Sequence, residues 1–445
     1  MSRKTEALSS SPQALLQRLV SIRPGEGRAV FWSFVYFFSL LSSYYILRPI
    51  RDEMGIVAGI ENMQWLFTGT FIAMLLVVPL FGLITSRLQR RQFLPYVYLF
   101  FIGNLLLFYL MFESGYSLTY TARAFFIWLS VFNLFVVSVF WSFMADLYQN
   151  EQAKRLFGFI AAGGTIGALT GPLLTAFLVQ RLGTSQMLLI SAGLLGLSII
   201  CIRQLIAWQT ARPRDDQKTP HSLTADRESP LGGGILDGIL LVLRSRYLMG
   251  ICLLMLLFTL LSTFLYFQQA QIVKQALDDS EARTALFAAI DFAVNTLTLL
   301  TQTFVTARLI KGIGLSLTLS LIPLLLSLGF LILGLFPLVP VLIAVQVMRR
   351  AGNYAVMRPA REMLYVVLSR EEKYKAKNFI DTVVYRGGDA VSSWIYTGFR
   401  GIGLSLSAIA WIAVPLSLIW AWTAYGLGER QGRIANQSSS LNGGK

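Results

Sequence analysis

Tyr354-Ala-Val-Met-Arg358-Pro359-Ala-Arg361-Glu362-Met363 sets two arginines inside a long apolar segment, 338–367. On an α-helix the i, i+4, i+7 spacing puts Tyr354, Arg358 and Arg361 on one face. An arginine at the centre of a membrane helix costs roughly 2.5–3.5 kcal/mol on insertion scales, so its presence needs a reason. The same pattern occurs once more as Tyr44-Tyr-Ile-Leu-Arg48-Pro49-Ile-Arg51-Asp52. Two such arginine pairs point to a polar cavity with an anionic ligand. Pro49 and Pro359 are expected to kink their helices and free backbone groups that must be satisfied locally.

The rest of the chain supports a membrane setting. Its 445 residues are 55% hydrophobic and only 14% charged, against about 25% charged in soluble domains. Apolar runs long enough to span a bilayer fall at 28–50, 63–85, 92–112, 122–146, 156–180 and 186–208. They resume at 247–270, 284–307, 313–335, 338–367, 378–399 and 402–425. The expected fold is an all-α membrane protein of twelve transmembrane helices in two six-helix bundles. Its halves are 1–208 and 247–445, the latter with a short tail, joined by a polar, Pro- and Gly-containing cytoplasmic linker, 209–246. With the N-terminus inside, 26 of the 38 Lys and Arg fall in cytoplasmic segments. The positive-inside rule therefore puts both termini in the cytoplasm. Leu15, Leu16, Leu19 and Val20 read as a short interfacial lead-in.

Several function classes are excluded at this level. Cys201 and Cys252 cannot build a disulfide framework, and His221 stands alone in a polar loop. No metal-ligand spacing exists. No nucleophile–base constellation is visible, so neither catalytic residues nor a cofactor is expected, and no enzyme. The run Gly163-Gly164-Thr-Ile-Gly167-Ala-Leu-Thr-Gly171-Pro172 lacks the Gly-Lys-[Ser/Thr] ending of a phosphate loop. Its small residues every four positions predict close helix packing instead. Energy must then come from gradients or exchange. The expected partners are a small anionic solute and the lipid bilayer, with no nucleic acid, and the chain is expected to be a monomer.

Local motifs carry two resemblances. Gly82-Leu-Ile-Thr-Ser86-Arg87-Leu-Gln89-Arg90-Arg91 resembles the loop signature G-x-x-x-D-R-x-G-R-R of major facilitators, with Ser86 for the acid and Gln89 for the second glycine. Twelve spans in two halves fit that architecture. The repeated arginine motif matches span 1 with span 10. In a fold built from inverted three-helix units, both are first helices lining the cavity.

A narrower resemblance follows from Arg358-Pro359-Ala-Arg361-Glu362-Met363-Leu-Tyr365 and Lys375-Ala-Lys377-Asn-Phe-Ile380-Asp381-Thr-Val-Val-Tyr-Arg386. With Phe140-Trp141-Ser-Phe143 and Glu151-Gln-Ala-Lys154-Arg155-Leu-Phe-Gly158, these segments are similar to the ATP/ADP translocase family of plastids and intracellular bacteria. The resemblance implies nucleotide exchange. It sets Arg51 and Arg361 where family lysines contribute to transport, Arg358 where the family has an acid, and Asp389 near an often basic position. Arginine offers phosphate a planar fork where lysine offers a point charge. The expected location is a bacterial inner membrane.

The candidate substrate-binding residues are Arg361, Arg51, Arg358, Arg48, Arg350, Arg386, Tyr354 and Tyr44. Asp291 and Asp381 are the candidate coupling or gating groups. Each has a plainer reading. Arg48, Arg51, Arg358 and Arg361 have adjacent acids at Asp52, Glu53 and Glu362, and arginines near span ends snorkel. Arg349 and Arg350 point about 100° apart, so at most one faces the cavity squarely. Asp291 is either a titrating group or the partner of one of them. Arg386 and Asp389 are three apart and able to neutralise each other. The tyrosines either stack on a base or pack. Three functions are carried forward: a secondary transporter of an anionic, nucleotide-like solute by alternating access, a proton-coupled exporter of small organic compounds, and a non-transporting membrane scaffold.

Overall fold

A computed structural model describes residues 23, 25–87, 90–115, 117–211 and 235–442, with the side chains of 80–93, 235–238, 370–371 and 438–442 set aside. The lead-in stretch, His221 and most of the linker lie outside the described residues. So do Leu88 and Gln89 of the basic loop. Among the described residues every regular element is helical.

The helices are α1 (Gly27–Val57), α2 (Met63–Arg87), α3 (Arg90–Glu113), α4 (Leu118–Leu147), α5 (Asn150–Leu182) and α6 (Thr184–Thr210). A short helix, α7 (Ile235–Arg244), precedes α8 (Arg246–Ala276), α9 (Ser280–Phe304) and α10 (Thr306–Leu335). The tenth crossing is built from α11 (Val339–Gly352), a π-helical turn (Asn353–Met357) and α12 (Arg358–Leu364). The eleventh is built from α13 (Arg370–Phe379), a second π turn (Ile380–Val384) and α14 (Tyr385–Gly401). The last is α15 (Leu406–Asn442). Among the described residues, ten helices are long and apolar enough to cross a membrane unbroken. The other two crossings carry the intramembrane arginines and are interrupted.

Helix boundaries follow ordinary capping chemistry. Ser245 accepts from the Leu248 amide at 3.3 Å and Asp279 from the Ala282 amide at 2.7 Å, starting α8 and α9. Ser369 and Glu372 form a reciprocal capping box that starts α13. Gly183, at φ 87°, makes the sharp turn between α5 and α6.

The chain forms two compact units. One holds the described residues within Met1–Arg48, Val78–Gly115 and Leu129–Thr219. Its centre is α1 against α5 and α6. A Cβ on Gly163 would lie 2.5 Å from the Phe34 carbonyl oxygen, and one on Gly167 2.5 Å from that of Phe38. Only glycine permits this approach, so the small-residue run of α5 is a packing face against α1. On the other side, Ser39 bonds Ser198 at 2.8 Å and Ser43 bonds Ser191 at 2.7 Å, joining α1 to α6. Tyr36 and Tyr98, both fully buried, share a 2.5 Å hydrogen bond. Glu26 accepts from Gln152 at 2.8 Å and Arg155 at 3.0 Å, tying the start of α1 to α5.

The other unit holds the described residues within Pro49–Val77, Tyr116–Trp128 and Pro220–Lys445. It contains α7 to α15 and takes in the end of α1, most of α2 and the start of α4. Within it α10 runs along α15, where Ser320 donates to the Ala421 carbonyl at 3.0 Å. The Trp65 and Trp394 rings meet edge to face at 4.8 Å, and Trp394 donates to Thr68 at 3.1 Å. These contacts join α2 to α14.

Candidate functional site

The polar groups of the second unit gather where the two broken crossings lie. Pro359 removes one backbone donor, and its ring displaces the carbonyl of Ala355, four residues earlier. The chain answers with the π turn at Asn353–Met357. Thr306 then donates to the freed Ala355 carbonyl at 2.8 Å, and Gln302 to the Tyr354 carbonyl at 3.2 Å. Gln302 therefore bridges helices. The break expected at Pro359 is present. At Pro49 the helix α1 runs on without interruption.

The π turn begins after the neighbouring arginines Arg349 and Arg350, which stay in α register and point about 100° apart. Arg349 donates to Ser262 at 2.8 Å and to Gln346 at 3.0 and 3.3 Å. Gln346 in turn donates to Gln269. Arg350 points the other way, is 7% exposed, and is paired with the buried Asp291 of α9. Of the two readings of Asp291, the ion pair is the one the geometry realises.

Arginines of three crossings lie within electrostatic reach of one acid, Asp389. Arg386, second residue of α14 after the second π turn, lies 3.8 Å from Asp389 one turn on. Arg51 of α1 and Arg349 of α11 also act electrostatically on the Asp389 carboxylate. Arg51 donates to the Phe126 carbonyl at 3.3 Å, with its guanidinium 4.0 Å from the Phe126 ring centre. Asp52 sits 3.6 Å from Arg51 and accepts from Tyr266 at 3.0 Å. Tyr385 lies between Phe258, stacked at 6.2 Å, and Arg386, 5.2 Å from its ring centre. Tyr354 shares that neighbourhood. Gly388 lets α14 approach α8, since a Cβ there would be 2.5 Å from the Thr259 hydroxyl. The cluster has three arginines against two carboxylates, Asp52 and Asp389. In surroundings of low dielectric such a charge excess attracts anions far more strongly than in water.

The remaining candidates lie elsewhere. Arg361 pairs with Asp381 at 3.2 Å and contacts the Met255 sulfur, and Glu362 pairs with Lys377 at 2.5 Å. These two pairs tie α12 to α13 and the second π turn. The loop lysine Lys377 thus engages Glu362, while Asp381 engages Arg361. Arg358 is exposed. The single face expected for Tyr354, Arg358 and Arg361 is broken by the π turn. Arg48 and Tyr44 belong to the first unit, Arg48 lying 5.7 Å from the Tyr45 ring centre and Tyr44 edge to face with Tyr45 at 5.1 Å.

One network was not foreseen. Glu53, fully buried, accepts from Arg283 at 2.7 and 2.8 Å and from Ser280 at 2.8 Å. Arg283 spends its remaining donor on the carbonyls of Leu277 and Asp278, each at 2.9 Å. The end of α1 is thereby clamped to the start of α9. In the sequence, Glu53 stands two residues from Arg51, and that local pairing hides a partner far along the chain.

Broken apolar helices around a partly exposed cluster of charge fit a membrane transporter. The sequence matches the family model of the Major Facilitator Superfamily over residues 29–374, and the chain belongs to that family. It is 23% identical to "ADP,ATP carrier protein 1" of Chlamydia muridarum (strain MoPn / Nigg) over 458 aligned positions, covering 87% of this chain and 85% of the carrier. The protein of that name from Chlamydia trachomatis serovar D is 22% identical over the same shares. The resemblance to ATP/ADP translocases read from the motifs is therefore found along most of the chain. Among solved structures, the POT family transporter PepTSo superposes with a TM-score of 0.64 at 15% identity, covering 91% of this chain and 98% of that one. A D-xylose-proton symporter gives 0.59 at 13%, covering 89% and 97%. These likenesses establish the fold, an all-α membrane protein of major facilitator type, and it is the family match that makes the chain a secondary transporter.

Proposed function

We propose that the chain carries a small phosphorylated anion of the nucleotide type, bound at Arg51, Arg349 and Arg386. The observation that carries this reading is that these arginines of three crossings lie within electrostatic reach of one half-buried acid, Asp389. Guanidinium forks meet phosphate oxygens in pairs. Tyr385 and Tyr354 offer aromatic faces beside them. The relatives named ADP,ATP carriers support the same solute class.

Transport would proceed by alternating access of the halves 1–208 and 247–445 about the linker. Both termini are assigned to the cytoplasm and the protein, as a monomer, to a bacterial inner membrane. The Glu53–Arg283 clamp then faces outward. The pairs Arg361–Asp381 and Glu362–Lys377 act as the inner tie that opens and closes. A proton-coupled exporter built on Asp291 has less to rest on, because that carboxylate is committed to Arg350.

Purified protein in vesicles loaded with ADP is expected to take up labelled ATP. Arg349→Gln and Arg386→Gln should each cut uptake about tenfold or more, the scale of a lost charge-assisted hydrogen bond, with melting temperature unchanged. Wild-type vesicles that exclude ATP whether or not they hold ADP would sink the nucleotide reading.

A further inference from the structure

The carboxylates of the second unit are held in two different ways. Glu53 is fully buried and gripped by Nη2 and Nε of Arg283 at 2.7 and 2.8 Å. Asp291 is 1% exposed and bonded to Arg350. Both are fixed members of the fold. Asp389 differs. Its nearest cation, Arg386, is 3.8 Å away, beyond hydrogen-bond reach, and the two side chains keep 16% and 33% of their surface exposed. The groups facing it are Arg386 and Tyr385 of its own helix, Arg51 of α1 and Arg349 of α11. This acid sits against the cluster without being locked to it.

We propose that Asp389 is a built-in counter-anion for the arginine cluster, displaced by the substrate when it binds, and that it lets the unloaded protein pass between its transport states. The proposal rests on the anion-binding reading of the same cluster. With Asp389 in place, three guanidinium groups face two carboxylates. Without it, of these two carboxylates Asp52 beside Arg51 remains. Moving such a charge excess through a closed, water-poor state is costly. A carrier lacking the internal anion can make that passage only with substrate aboard, and so works solely by exchange. One that has it can return empty, and so carries net flux as well. Because Asp389 lies one turn from Arg386, it travels with that arginine in every state.

The test uses the full chain in vesicles with labelled ADP and labelled inorganic phosphate as probes. Uptake is measured into vesicles loaded with the unlabelled probe and into empty ones. Wild type should fill both. Asp389→Asn should keep uptake into loaded vesicles and lose about tenfold or more into empty ones, and Asp389→Glu should restore it. In detergent, Asp389→Asn should also bind the probe more tightly, because an internal competitor is gone. Equal rates into empty vesicles for wild type and Asp389→Asn would overturn the proposal. So would equal loss from both vesicle types in a variant that still melts and elutes like wild type, since Asp389 would then be a binding group. Wild-type uptake confined to loaded vesicles would overturn it too. A wild type that moves neither probe into either vesicle refutes the anion reading itself and the proposal with it, a pattern distinct from loss confined to the variant.

Discussion

Arg349 and Arg350 are neighbours with opposite expected behaviour. Arg350 and Asp291 form a buried pair, and removing one member strands the other charge at a cost of about 3–5 kcal/mol. Asp291→Asn should therefore lower the melting temperature markedly, and the double variant with Arg350→Gln should recover most of the loss. Arg349→Gln should leave stability near wild type and abolish anion-dependent stabilisation, read by thermal shift. A second residue-scale expectation concerns Glu26. Burial alone would raise its carboxyl, but the Arg23 amide, Gln152 and Arg155 together outweigh it and hold the group below its usual range. A lowered carboxyl adds stability that is complete above the unfolded-state value and is lost as pH falls through the folded one. Wild type should thus lose melting temperature on acidification more steeply than Glu26→Gln, as a pH series of melts would reveal. The sequence reading named Arg350 of this pair as the binding group, whereas the structure pairs Arg350 with Asp291 and leaves Arg349 bonded to Ser262 and Gln346; no local pattern announces a partner in α9 for one neighbour and not the other.

Among the elements, the α1–α5 contact is the least forgiving. A side chain at Gly167 would meet the Phe38 carbonyl at 2.5 Å and the Ser42 hydroxyl at 3.1 Å. Gly167→Val should cost about 1–3 kcal/mol by overpacking. Gly158, on the same helix with open space around it, should accept Ala without loss. Thermal unfolding in detergent separates the two. This packing was legible from the spacing of small residues alone. The ten unbroken crossings were legible from apolar length. The interruptions at Asn353–Met357 and Ile380–Val384 were legible only in part. Pro359 announces the first, whereas hydropathy averages over the second.

If the transporter works by alternating access as proposed, the Glu53–Arg283 clamp is a contact expected to break on opening. Its partners lie in crossings far apart in sequence, so no local pattern could announce it. Glu53→Gln should shift the resting balance toward the state in which α1 and α9 part. A reporter at Gln64→Cys, in a background of Cys201→Ser and Cys252→Ser, would then react faster with a membrane-impermeant thiol reagent. Each 1.4 kcal/mol of lost closed-state preference raises that rate about tenfold. Unchanged labelling would mean that the clamp is structural rather than a gate.

The two π turns give the crossings something a straight helix lacks. A π turn holds one residue more than the α turn it replaces. Returning that residue to α register rotates everything beyond it by about 100°, the angle per residue of a helix. The first such reserve lies between Arg349 and Arg361, the second between Asp381 and Arg386. Paying out or taking up this slack would swing one set of charges relative to the other while both ends of the crossing stay anchored. The chain thus stores a local twist on each flank of its arginines, and re-aiming them requires no helix to unfold.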